Sequence, residues 1–157
     1  MNLRSIKQFA FYACFCLTLA AASAQTAGSS KDCLASANNQ LDLNQCAEAD
    51  ASAADRDLNR TYQLIAKKYA DQPLFLERLH ESQRAWLKYR DAQVEMKFPT
   101  SAKQTAETTY GSVYPMCYAA YKAKLAKERT RELREWLVGI EEGDVCYGSA
   151  KTPASLK

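Results

Sequence analysis

The stretch NQLDLNQCAEADASAADRDLNRTYQLIAKKY, residues 39–69, decides the fold class. Leu43, Cys46, Ala47, Ala51, Ala54, Leu58, Tyr62, Ile65 and Tyr69 recur at three- and four-residue steps, so one apolar face winds along a helix. Asn39 stands where an N-cap oxygen is needed, and Asp42 occupies the first-turn position that favours a carboxylate. The pattern predicts a helix over about 40–70. Asp71-Gln72-Pro73 ends it and opens the next, because proline has no amide hydrogen to lose in a first turn. Leu76, Leu79, Trp86, Tyr89, Gln93 and Met96 mark that second helix, which stops before Pro99. Residues 99–112 are rich in Thr, Ser, Ala and Lys with no apolar stripe and read as a long loop. Pro115 opens a third helix carrying Cys117, Tyr121, Leu125, Leu133, Trp136 and Ile140, which Gly139 to Gly143 weaken. No β-alternation of useful length occurs. The expectation is an all-α protein, a three-helix bundle with a long loop between the second and third helices.

The N-terminus assigns a compartment. Arg4 and Lys7 precede an apolar run from Phe9 to Ala22, and Ala22-Ser23-Ala24 is an A-x-A cleavage site ahead of Gln25. The run is shorter than the roughly 20 apolar residues of a membrane span. Acylation at Cys14 or Cys16 is the alternative, but the residues before them poorly match a leucine/small/small lead-in. The chain therefore divides into a cleaved signal peptide over 1–24, a flexible lead-in over 25–38, a helical domain over 39–142 and a tail over 143–157. A periplasmic or secreted location follows, without stable membrane insertion.

Arg4 and Lys7 leave with the leader, which lowers the net charge from +3 to +1. Lys and Arg are interleaved with Asp and Glu as on solvated helix faces, so the basic stripe that nucleic acid asks for is missing. Four cysteines remain, Cys33, Cys46, Cys117 and Cys146. An even number in an exported chain points to disulfides. A zinc site would want closely spaced pairs or histidine partners, and the single histidine, His80, is remote in sequence from every cysteine.

Two strings are too specific to be generic helix: Gln83-Arg84-Ala85-Trp86-Leu87-Lys88-Tyr89-Arg90-Asp91-Ala92, and Ala54-Asp55 followed by Leu58-Asn59 and Tyr62. Together with Cys33, Leu43-Asn44-Gln45-Cys46-Ala47 and Gly111-Ser112-Val113-Tyr114-Pro115-Met116, they resemble the LprI-like lysozyme-inhibitor family of exported bacterial proteins. The resemblance covers roughly residues 32–137. It implies a binding protein without cofactor or metal, whose partner is lysozyme or another peptidoglycan hydrolase and which acts by occluding that enzyme's cleft. The alternative is a periplasmic envelope or toxin-neutralising protein with a different partner. The resemblance also favours a Cys33–Cys46 disulfide, with Cys46–Cys117 as its rival at the same end of the bundle. The family carries one cysteine after Arg-Asp-Ala-x and another soon after Tyr-Pro-Met, where this chain has Val94 and Tyr121. Joint loss is what the absence of one bond leaves behind. Cys117 and Cys146 are then extra and invite pairing as a second disulfide, but with about 30 Å of straight helix between them that pair needs a broken third helix or an almost taut tail.

If the first two helices form an antiparallel hairpin turning near Asp71 and Gln72, Asp55 lies level with Arg90 and Asn59 with Trp86. Gln83, Trp86 and Arg90 share one helix face. One reading is an interhelical network, with Arg90 on Asp55 and with Asn59 and Gln83 satisfying each other or nearby backbone around the Trp86 ring. The other is an exposed anchor of Trp86, Tyr89 and Arg90 for a partner. Arg84, Lys88 and Asp91 read as solvated. Gly111, Ser112 and Tyr114 end the long loop at the mouth of a helix, where exposed backbone can enter a cleft and Tyr114 can stack on a sugar-binding surface. The plain reading there is a glycine turn with Ser112 or Tyr114 fixing the helix start. A protein that blocks a hydrolase whose groove holds two carboxylates needs donors such as Ser112 or Lys103. A net charge of +1 supplies no long-range attraction to a cationic enzyme. Catalysis by the chain itself has little support: His80 lacks a recognisable nucleophile and orienting acid, and Glu141, Glu142 and Asp144 read as a solvated patch.

Overall fold

The structure, a computed structural model, describes residues 30–141 and 143–152. The expected signal peptide and cleavage site, with Cys14 and Cys16, lie outside the described residues. Among those described there are five helices and no strand: α1 Ser30–Ser36, α2 Gln40–Lys68, α3 Pro73–Lys97, α4 Ala106–Tyr110 and α5 Tyr114–Val138. The all-α expectation holds. Two short helices add to the three long ones, α1 within the expected lead-in and α4 within the expected long loop.

The 7-residue α1 is too short to persist on its own backbone bonds. A disulfide between Cys33 and Cys46, with Cα atoms 5.7 Å apart, ties it to α2. Closing this short loop restricts the unfolded chain by about 3 kcal/mol. The start of α2 is capped from both sides: the Asn39 side chain accepts from the Asp42 amide at 3.0 Å, and the Asp42 carboxylate accepts from the Asn38 amide at 2.9 Å.

Buried residues on α2 run Ala47, Ala51, Ala54, Leu58, Thr61 and Ile65. On α5 they include Ala119, Ala123, Ala126, Thr130 and Leu133 in the same alternation of four and three. Two such stripes, each led by three alanines, let the backbones approach closely, and α2 packs far more intimately on α5 than on α3. The two helices run parallel. Asn44 bonds the Ser112 carbonyl at one end, and Tyr69 bonds the Trp136 carbonyl at the other. Lys127 meets Asp50 and Arg134 meets Asp57, both at 2.7 Å and both at a sequence separation of 77. These pairs flank the alanine seam one heptad apart, as charges flanking a parallel coiled coil do. At these exposures each contributes at most about 1 kcal/mol, so their main effect is to hold register.

A parallel pair needs a return path, and α3 provides it. It runs antiparallel to α5, with Arg129 donating to Ser82 and Gln83 near one end and Tyr121 donating to Gln93 near the other. Phe75, Leu76 and Trp86 pack against the core, and Leu79 is buried within it. Gly139 ends α5 with φ of 83°, a left-handed conformation that glycine adopts readily because it has no Cβ. The chain after it folds back to the α2–α3 turn, where Lys151 reaches Asp71.

Candidate functional site

The expected hairpin brings Arg90 to Asp55, at 3.7 Å. The Arg90 side chain is 15% exposed and its guanidinium lies 5.6 Å from the centre of the Trp86 ring. Its hydrogen bonds, however, go to Asp91 at 2.9 and 3.0 Å, so Asp91 is a partner and not simply solvated. Asn59 and Gln83 do not pair. Gln83 accepts from Arg129 of α5 at 3.4 Å, while Asn59 is exposed beside the buried stripe of Leu58 and Thr61. The reason is the seam: α2 spends its inward face on α5, which leaves Asn59 outside and turns Gln83 toward α5. The expected anchor also separates. Trp86 packs partly buried against the core, whereas Tyr89 is 54% exposed.

The second disulfide that Cys117 and Cys146 invite does not form: both are unpaired. Cys117 lies in the first turn of α5 and Cys146 in the chain beyond its last, so α5 itself holds them apart. Cys46, bonded to Cys33, is not available to Cys117. His80 is exposed on α3. Among the described residues no group of three or more His, Cys, Asp or Glu is placed to hold a metal ion.

Gly111, Ser112 and Val113 are exposed between α4 and α5. Gly111 takes φ of 74° with no atom near where a Cβ would stand, so backbone geometry rather than crowding selects glycine. The Asn44 side chain donates to the Ser112 carbonyl at 3.1 Å and pins the turn to α2. Tyr114 is not a free loop side chain as its position before a helix suggests. It is half-buried in a cluster with Phe98 at 5.5 Å, Tyr110 at 5.7 Å and Tyr118 at 5.5 Å between ring centres. Burial pushes its phenol pKa above the ordinary value, and the neighbouring Tyr118, Glu107 and Tyr110 add to the rise.

This cluster, completed by Tyr121 at 6.4 Å from Phe98, is what the loop reading missed. The signal was present as Tyr110, Tyr114, Tyr118 and Tyr121, spaced as on one helix face although α4 and α5 are separate helices. Tyr110 donates its hydroxyl to the Pro99 carbonyl at 2.7 Å, closing the segment between α3 and α4 on itself. Lys97 lies 4.1 Å from the Tyr121 ring centre and Lys122 5.5 Å from that of Tyr118. Beside the rings is a cavity of about 380 Å³ lined by Asp91, Val94, Glu95, Phe98, Thr100, Ala106, Tyr114 and Tyr118. Val94, one of the two positions where the resemblance led to the expectation of a cysteine, is buried and lines this cavity.

Residues 30–133 match the family model described as lysozyme inhibitor LprI, which spans all of α1 to α4 and most of α5. The chain is also similar to an uncharacterized protein of Rhizobium meliloti, 38% identical over an alignment of 114 residues, with 66% of this chain and 77% of the relative covered. No solved structure gives a significant match. The chain belongs to the LprI lysozyme inhibitor family.

Proposed function

We propose that this member of the LprI family is an exported binding protein that blocks a peptidoglycan-cleaving enzyme by occluding its cleft. In this reading α2, α3 and α5 act as a three-helix bundle, and the connection between the second and third long helices carries the contact segment Gly111-Ser112-Val113. The observation that carries it is a firmly held yet exposed turn: Asn44 holds the Ser112 carbonyl, Tyr114 wedges into the aromatic cluster, and the side chains of Ser112 and Val113 remain outside. A segment ordered before binding loses little conformational entropy when it enters a groove. The role assigned is steric, with no chemistry on the inhibitor's side. The disulfide on α1 suits an oxidising compartment outside the cytoplasm. No helix among the described residues is long and apolar enough to cross a membrane.

Lysis of purified cell walls by a panel of lysozymes, with increasing amounts of the protein, tests this reading. The wild type slows at least one enzyme. Ser112→Glu sets a carboxylate against a groove already holding two, and weakens inhibition by more than about 2 kcal/mol. The melting temperature barely moves, since the side chain is exposed. A wild type that slows none of the panel rejects the inhibitor reading.

A further inference from the structure

The cavity beside the tyrosine cluster is built differently from the other large cleft between α3 and α5. That other cleft, also about 380 Å³, is lined by Phe75, Arg78, Arg129, Glu132 and Trp136 among others. Its charges are already paired, Arg78 with Glu81 at 2.6 Å and Arg129 with Glu132 at 3.0 Å. The lining of the tyrosine-side cavity holds two carboxylates and no basic side chain. Asp91 is neutralised by Arg90 at 2.9 Å, whereas Glu95 has no ion pair among the described residues.

We propose that this cavity receives a guanidinium or ammonium side chain presented by a protein partner. Phe98 and Tyr114 meet at 88° and Tyr114 and Tyr118 at 49°, so the three rings that line the cavity offer no single flat platform. A sugar ring stacks on one flat exposed platform, while a cation is attracted by the negative faces of several rings at once. Two of the rings that line the cavity already have an ammonium group of this chain beside them: Lys122 lies 5.5 Å from the Tyr118 ring centre and Lys97 5.9 Å from that of Phe98. Glu95 supplies the countercharge. The volume falls within the roughly 300–1,000 Å³ of small-ligand sites, ample for one long basic side chain. Tyr114 lies two residues beyond Ser112, so a partner engaged at the exposed turn carries its surface past the mouth of the cavity. The partner as bearer of the cation rests on the inhibitor reading; the chemistry of the cavity does not.

The test is an amide chemical-shift titration of the purified protein with N-acetyl-arginine amide, with the uncharged citrulline analogue and an N-acetylglucosamine trimer as parallel probes. Saturable shifts at Thr100, Ala106 and Tyr114 are expected with the arginine compound alone. Glu95→Gln should weaken binding by about fivefold or more, the effect of losing one partly exposed countercharge. Equal shifts with citrulline, shifts with the glycan but not with arginine, or an unchanged Glu95→Gln response each overturn the assignment. Glu95 is exposed, so the variant keeps its fold, which its melting curve verifies. The same variant in the lysis assay separates the two ideas. Inhibition by the wild type with no loss in Glu95→Gln removes the cation from the interface, while arginine binding without inhibition of any lysozyme removes only the inhibitor reading.

Discussion

Two aromatic clusters stand at opposite ends of the α2–α5 seam, and chemically similar rings meet different fates there. At one end Tyr69 stacks on Phe75 at 4.3 Å, and Trp136 closes the group at 5.0 Å from Phe75. Tyr69 is 0% exposed, and its hydroxyl donates to the Trp136 carbonyl at 3.1 Å while accepting from the Lys151 amide at 3.0 Å. The returning tail completes the closure, with the Lys151 ammonium on the Lys68 carbonyl and Asp71 and the Lys68 ammonium on the Leu137 carbonyl. At the other end Phe98, Tyr110, Tyr114, Tyr118 and Tyr121 are all half-buried, and Glu95 beside them has no ion pair among the described residues. Aromatic residues alone therefore do not define a core. What differs is whether a second stretch of chain encloses the rings: the returning tail closes over Tyr69, while Tyr110 and Tyr121 have hydroxyl partners of their own yet stay half-buried.

The sharpest way to break this contrast is to remove a ring at each end. Tyr69→Ala should cost about 4 kcal/mol in chemical denaturation, the range for emptying a fully enclosed aromatic site, and Tyr114→Ala about half of that. Equal losses would mean that the half-buried cluster is as much core as the enclosed one. Deleting residues 144–157 should cost about 2 kcal/mol in urea unfolding, because the Tyr69 hydroxyl loses a partner and Lys151 its bonds. The same deletion should raise the Lys68 pKa, which burial depresses first and the nearby Lys151 charge second.

Arg90→Ala probes the ground between the two ends. Asp55 keeps 41% of its side chain in solvent and can rehydrate, so the loss should be about 1 kcal/mol rather than the 3–5 kcal/mol of a fully buried pair. A loss of 3 kcal/mol or more would show that the pair is enclosed in solution. The smallest effect is alkaline. The folded state holds the Tyr114 proton more tightly than the unfolded chain, so its contribution is full below the unfolded value of 10.0 and is lost as pH rises through the higher folded value. Stability measured across that range should fall less steeply in Tyr114→Phe than in the wild type.

The sequence by itself determined the three long helices. Steps of three and four in α2, the Asn39 cap, Pro73 in the first turn of α3, Pro115 in that of α5 and Gly139 at its end are all local marks, and each boundary lies within a few residues of its expectation. It also carried the family signature and, through it, the Cys33–Cys46 bond. Only the tertiary structure decided who packs on whom. The alanines of α2 could have faced α3, the next helix along the chain, and that expectation led Asn59 toward Gln83. They face α5 instead, because only there does a matching run of alanines permit close approach, in a register flanked by the Asp50–Lys127 and Asp57–Arg134 pairs. Lys151 was hidden for the same reason, since a lysine in a tail carries no local mark of the Tyr69 ring and the Asp71 carboxylate it meets. A helix is encoded within a few residues, by the fit of its own turn. The choice of neighbour depends on complementarity between segments 77 residues apart, which emerges only once the chain has folded back on itself.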